Sequence, residues 1–476
     1  MVNRRTLSVG ALLALPVLLF ACGGDPDPGP PQADGPDAPV LLLGVDGFEW
    51  GLALPLLRAG ELPNLEAAIE RGSVSALETL HPTWSPRIWT SVATGKEPAE
   101  HGIEDFVHYD EDRNPVSLYT QEDRRTKAHW NILSDAGLSV DTIGWWMTFP
   151  VEPVNGLMVA QTNAPIEADG SRSGPEKGLL RAGVPAQVHP ASMEVEVFGR
   201  FAEVGADLDA TLEGIFGKIE PYDEESAGRW SDCRWAFRAD STYLALALAQ
   251  AARAGGPADV TAIYLGGSDV VGHRFFAAHQ PGPFGLAEDS DEVRVFGDVV
   301  PDYYRFVDDA LGRLLAAWPA DTTLVLATDH GMVSLHQDVK KRGGILGSRD
   351  GKANISNTGG HPRGERGVFV LAGTHVLGGL GRPAGKPIRE LVRGDLEDYG
   401  SVLDVAPTLL ALVGLGAGED MPGQVLERYL DVEAPARITT HDDAAWLEAR
   451  VHTGIQPVDP SGRIDQLGDL GYLGDE

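Results

Sequence analysis

The chain has 476 residues, with 38 basic side chains against 70 acidic ones and a formal net charge of −32. A field of that sign repels polyanions and argues against a nucleic-acid partner. It leaves room for a small phosphate ester, because bound cations can reverse the potential locally.

Asn3-Arg4-Arg5 is a short positive segment, and Leu7 to Phe20 is almost wholly apolar. The run is too short for a comfortable membrane span and reads as an export signal. Arg4-Arg5 also leaves a twin-arginine route open. Leu19-Phe20-Ala21-Cys22 resembles the lipobox of bacterial lipoproteins. That resemblance implies a signal peptide over 1–21 and an acylated Cys22 anchoring the chain to a membrane of the bacterial cell envelope. The alternative is an ordinary cleaved signal with an incidental cysteine. Gly23, where an Asp often retains lipoproteins at the inner membrane, leans the expectation outward. Residues 22–38 are dominated by Gly, Pro and Asp and are expected to form a disordered tether. With Cys22 assigned to lipid, Cys233 stands alone and reads as a structural thiol without a disulfide.

Pro39 to Val45 is an apolar run that delivers Asp46 at the C-terminal edge of a buried parallel strand. Asn64 to Gly72 carries a helical pattern closed by Gly72 as a C-cap. Ser139 to Gly144 reads as a strand, and Ser241 to Ala254 as a helix with Asp240 as its cap. Val260 to Leu265 is a strand, Asp302 to Ala317 a helix and Thr323 to Ala327 a strand. This alternation predicts an α/β domain over 39–430 with a mostly parallel sheet flanked by helices. Residues 166–257 break the rhythm and are expected as a largely helical insertion, with an acidic tail of helical character over 431–476.

Acidic and histidine residues cluster at or just beyond strand ends, where open α/β sheets bind their ligands. The set is Asp46, Asp269 with His273, Asp329 with His330, and His361. Three carboxylates and three imidazoles suit two zinc-like ions. Asp269 and His273 share one side of a helical turn and can reach one ion, although such a pair is more often a solvated one. Asp329-His330 at a strand exit, followed by Gly331, is more telling; its plain alternative is a capped turn. Ser85 precedes Pro86 and reads either as a helix cap or as a hydroxyl activated by a helix N-terminus and a cation. On composition alone, Thr83 competes with it.

The ordered set Val45-Asp46-Gly47, Ser85 through Thr94-Gly95, Pro98-x-x-His101-Gly-Ile103, Asp269-x-x-x-His273, Asp329-His330-Gly331-Met332 and His361 resembles the alkaline phosphatase superfamily. It is closest to the type I phosphodiesterase and nucleotide pyrophosphatase branch. Trp145-Trp146-Met147-Thr148-Phe149-Pro150 and Asp404 to Leu409 resemble a further group within that superfamily. The resemblance spans nearly everything after the tether. It implies two divalent ions, zinc foremost, with manganese or iron tolerated by the same donors. Asp46, Asp329 and His330 would hold the ion that also meets Ser85; Asp269, His273 and His361 would hold the second. Ser85 would be the nucleophile, forming a phosphoserine and hydrolysing a phosphate monoester or diester. Thr83 falls outside that register, and His101 fits a structural role.

Two departures qualify the resemblance. Phe106 occupies the position where nucleotide pyrophosphatases usually carry an Asn that donates to phosphate. Arg87 is a candidate replacement, its planar fork suiting phosphate, and its plain alternative is a surface arginine. Ser85-Pro86-Arg87 lacks the spacing that sulfatases need for formylglycine, and the export signal disfavours a cytosolic mutase. Two other functions stay open: an envelope phospho-group transferase, and a catalytically silent envelope protein that keeps the metals for structure.

Overall fold

A computed structural model describes residues 35–112, 114–161, 180, 184–336 and 357–450. The lipobox with Cys22, the tether up to residue 34, part of the expected insertion and the tail beyond 450 lie outside the described residues.

The central sheet has eight strands among the described residues. Numbered within this sheet, they are β1 Val40–Val45, β2 Gly72–Leu77, β3 Val140–Ile143, β4 Met158–Val159, β5 Val188–His189, β6 Val260–Leu265, β7 Thr323–Ala327 and β8 Gly367–Ala372. Their spatial order is β2-β8-β7-β1-β6-β3-β4-β5. The centre, β7-β1-β6-β3-β4, is parallel; β8 runs antiparallel to both β7 and β2, and β5 antiparallel to β4.

Both faces are covered, which explains why β1 reads as an unbroken apolar run. Leu41, Leu43 and Val45 enter one core cluster, while Val40 and Leu42 enter the other. The first face carries helices α1 (Trp50–Ala59), α2 (Pro63–Arg71), α4 (Arg234–Ala251), α5 (Gly267–His279) and α6 (Val299–Ala317). The opposite face carries α3 (Ser85–Thr94) and α7 (Val405–Leu412). Helix α4 falls inside the stretch expected as an insertion, yet it lies against β6. The helices Glu194–Ala206 and Leu208–Phe216 pack outside it, on α4 and α6 respectively. No helix among the described residues is long and apolar enough to cross a membrane.

Register makes distant residues converge. Val40 lies opposite both Val260 and Thr323, and Val45 opposite Leu265. The three parallel strands therefore end level, and the residues that follow them emerge at one edge.

Several local expectations are corrected. Gly72 does cap α2, its N–H on Ile69 O, but with an extended φ of −132° it is also the first residue of β2. Ser85 is the first helical residue and Trp84 the cap. Asp240 does not begin a helix but sits within α4, buried, with its carboxylate turned to another element. The tail's described part, 431–450, is mostly irregular, with one short helix at Ala444–Ala449.

Candidate metal centre

Asp46 follows β1, and its backbone N–H donates to Leu265 O at 2.9 Å, continuing the ladder past the strand end. Its Oδ2 accepts from Tyr264 Oη at 2.6 Å and from Trp89 Nε1 at 3.0 Å. Its Oδ1 is buried and makes no hydrogen bond. Trp89 reaches this carboxylate because Gly44 clears the way: a Cβ there would stand 2.8 Å from the indole ring.

Asp329 follows β7, and its Oδ1 accepts from His330 N at 3.0 Å and Gly47 N at 3.2 Å. Its Oδ2 has no hydrogen bond and lies 3.2 Å from His330 Nε2, which is in turn 3.5 Å from Asp46 Oδ1. Gly331 allows a close backbone approach here, since a Cβ would stand 2.7 Å from Arg366 O.

Asp269 and His273 stand in the first turns of α5, with Asp269 Oδ1 3.2 Å from His273 Nε2. His361, between the short strand Gly359–Gly360 and β8, brings its Nε2 to 3.2 Å from His273 Nε2 and 3.8 Å from Asp269 Oδ1. The His361 ring stacks on His330 with centroids 3.6 Å apart. His330 therefore touches both groups: Asp46, Asp329 and His330 present ligand atoms within 4.8 Å of one another, as do Asp269, His330 and His361.

The imidazole protons can be assigned from their partners. His330 Nδ1 faces Gly331 O at 2.9 Å and His273 Nδ1 faces Gly359 O at 2.9 Å; carbonyls only accept, so each Nδ1 carries hydrogen. His361 Nδ1 faces Thr83 Oγ1 at 2.7 Å, while that hydroxyl lies 2.8 Å from His361 O. The hydroxyl proton goes to the carbonyl, and His361 Nδ1–H donates to the hydroxyl. Metal ligation requires neutral imidazoles, and with Nδ1 protonated in this way all three Nε2 lone pairs would be the ones offered to an ion.

Carboxylate oxygens and imidazole nitrogens gathered this closely in a buried site need shared protons or a cation to hold them together. Ligands about 2.0–2.1 Å from a tetrahedral zinc ion lie about 3.3 Å from each other. The separations of 3.2 to 3.8 Å match that spacing. The donors are hard oxygens and imidazoles, so these residues fit zinc, manganese or iron.

The electrostatics carry the same strain. Burial, then Asp269, pushes the Asp46 carboxyl up despite His330. Burial, then Asp46 and Asp269, drives Asp329 well above the usual range. Asp269 is also raised by burial, but His273, His330 and His361 outweigh it and hold it below that range. Burial, then His330 and His273, holds His361 well below the ordinary imidazole value.

Ser85 heads α3 with 1 % exposure, and its Oγ makes no hydrogen bond. Thr83, two residues earlier, grips His361, and Trp89, four residues later, grips Asp46. Arg87 is placed differently. Its Nη2 lies 3.5 Å from His81 O, and its charge neighbours are Glu104, Asp105 and Glu97, none of them in the cluster. Phe106 is buried edge-on against Trp146, and Trp146 Nε1 donates to Tyr264 Oη at 2.8 Å. His101 is buried, with Nε2 2.9 Å from Ser91 Oγ. Cys233 is buried, and burial pushes its thiol up to about 11, in keeping with an inert structural residue.

Sequence reasoning did not find Trp89, Tyr264 or Asp240. A signal existed for Trp89, which stands one helical turn after Ser85 on the same face. Asp240 is the least foreseeable. Its Oδ1 accepts from Gly266 N and its Oδ2 from Gly267 N, both at 2.9 Å, and Tyr303 donates to the same Oδ2. It caps α5, the helix that carries Asp269 and His273.

The sequence profile of the family described as type I phosphodiesterase / nucleotide pyrophosphatase matches residues 40–347. Similar solved structures include murine ectonucleotide pyrophosphatase / phosphodiesterase 5, at 13% identity and TM-score 0.44, covering 83% of this chain and 100% of that one. Phosphonoacetate hydrolase from Sinorhizobium meliloti 1021 is 18% identical with TM-score 0.37, over 63% of this chain and 58% of its own. The match thus spans little more than half of that enzyme. A 2-O GAG sulfatase is 11% identical with TM-score 0.45, over 85% of this chain and 76% of its own. No curated protein matches the chain.

Proposed function

The chain belongs to the type I phosphodiesterase / nucleotide pyrophosphatase family of alkaline phosphatase superfamily hydrolases, and from that premise we propose that it hydrolyses small phosphate esters with Ser85 as nucleophile beside two divalent cations. Asp46, Asp329 and His330 would hold one ion, and Asp269, His273 and His361 the other. When bound, the ions supply positive charge that lowers the serine hydroxyl pKa and neutralises the phosphoryl oxygens. The observation that carries this reading is Ser85 Oγ: buried, without a hydrogen bond, in a segment gripped by His361 on one side and Asp46 on the other.

The steps by this chain's own residues follow. Ser85 Oγ loses its proton to solvent and attacks phosphorus in line, and the bond from phosphorus to the leaving oxygen breaks. The N-terminus of α3 favours the anionic oxygen by about 0.3–1 kcal/mol. Water then cleaves the phosphoserine and restores the hydroxyl. Indole and phenol donors on Asp46 Oδ2 would leave Oδ1 as its ligand atom, and the three Nδ1 partners would turn each Nε2 toward the ions.

The test is turnover of mono- and bis-p-nitrophenyl phosphate by zinc-loaded protein. Ser85→Ala should lower kcat by at least about a thousandfold while leaving zinc content unchanged. Unchanged turnover in that variant would overturn the assignment. Anchoring at a bacterial envelope through acylated Cys22 is part of the same proposal. Fatty-acid labelling that disappears in Cys22→Ala supports it, and labelling that survives contradicts it.

A further inference from the structure

Resting on the six-ligand reading, we infer that Thr83 is a positioning residue whose hydroxyl holds His361 in the cation-binding tautomer, coupling the seating of the Ser85 segment to occupancy of the Asp269–His273–His361 half. The three histidines are oriented in two ways. His330 and His273 give their Nδ1 protons to backbone carbonyls, at Gly331 and Gly359, with Asn357 Oδ1 also 3.1 Å from His273 Nδ1. No side-chain substitution removes the two carbonyls. His361 gives its proton to a side chain, and that side chain lies two residues before Ser85.

A hydroxyl has one proton and can accept as well as donate. Thr83 Oγ1, on a residue 5 % exposed, faces His361 O at 2.8 Å and His361 Nδ1 at 2.7 Å. Carbonyl oxygen can only accept, so it takes the hydroxyl proton and Nδ1 must supply its own. The other tautomer would set two acceptors against one proton at Thr83 and put an N–H where the cation would bind. One side chain thus fixes both the backbone and the ring of His361, and the same three-residue turn presents Ser85. By linkage, whatever favours this tautomer favours the seated segment, and the converse holds.

The experiment titrates the chelator-treated full chain with zinc chloride by calorimetry, comparing wild type, Thr83→Val and Thr83→Ser. Outer contacts of metal ligands are typically worth about 10- to 100-fold in affinity. Thr83→Val should weaken the second zinc equivalent by that factor and leave the first within about threefold, following the same principle. Thr83→Ser, which keeps the hydroxyl, should restore the second equivalent. Equal binding by Thr83→Val, or failure of Thr83→Ser to rescue, overturns the inference while leaving the six ligands intact. A wild-type chain that binds no zinc overturns the ligand reading and this inference with it. Should Thr83→Val not fold, imidazole nitrogen shifts in wild type decide: Nδ1 protonation at His361 supports the role, and Nε2 protonation contradicts it.

Discussion

The two halves of the centre are built on different foundations. Asp46, Asp329 and His330 leave the ends of adjacent parallel strands, so β1–β7 register sets their backbone spacing, and Trp89 and Tyr264 only orient the Asp46 carboxylate. Asp269, His273 and His361 come from a helix and a loop, and side chains hold them: Asp240 at the head of α5 and Thr83 on His361. A half fixed by sheet backbone resists mutation of its surroundings. A half fixed by side chains does not, so damage outside the ligands should fall unevenly on the second.

The largest contrast expected lies between two histidines. His330→Ala should remove the zinc of the Asp46 half, weaken that of the other and lower activity by at least about a thousandfold, because His330 is a ligand of the first and lies within reach of both groups. His273→Ala should cost one equivalent and spare the other. Zinc analysis of the two purified variants checks this, and equal losses would erase the distinction. Next in size is Asp240→Ala, which strands two buried N–H groups at about 1–3 kcal/mol. Its thermal midpoint should fall, and zinc should weaken at the Asp269 half more than at the Asp46 half. Tyr264→Phe removes one of two donors on Asp46 Oδ2 and should weaken the first half about tenfold at most, as zinc competition with a chelator would reveal. Arg87→Ala should change KM by about threefold or less where its charge serves only Glu104, Asp105 and Glu97; a far larger rise would place Arg87 on the phosphate.

Acid should test the fold separately from the centre. Burial holds His101 and His129 down to about 3, against an ordinary value of 6.5. Their folded values are depressed, so their contribution to stability is complete above 6.5 and is lost as pH falls from 6.5 toward 3. Chelator-treated protein should therefore melt at progressively lower temperature across that window. His101→Gln should flatten the trend, and an unchanged slope would remove His101 as a cause.

How legible this was depends on what set each feature. The strands β1, β6 and β7 could be read almost to the residue, because burial on both faces leaves a plain apolar run. The six cluster residues could be named because each follows a strand or a turn in a recognisable order. Asp240 could not: a carboxylate in a helix preceding a leucine-rich stretch looks like that helix's own cap. Only the packing of α4 against the start of α5 gives it a partner 26 residues away. Gly72 closes α2 as the sequence suggests, while antiparallel pairing with β8, invisible locally, also draws it into the sheet. Arg87, suited to phosphate by its chemistry, has Glu104, Asp105 and Glu97 as its charge neighbours, and its Nε is buried with no hydrogen bond.

Anomalous diffraction at the zinc edge from zinc-loaded crystals would test the central claim most directly. Two peaks about 4 Å apart are expected, one among Asp46, Asp329 and His330 beside Ser85 Oγ, the other among Asp269, His273 and His361. No peak, or a single peak distant from Ser85, would contradict the account.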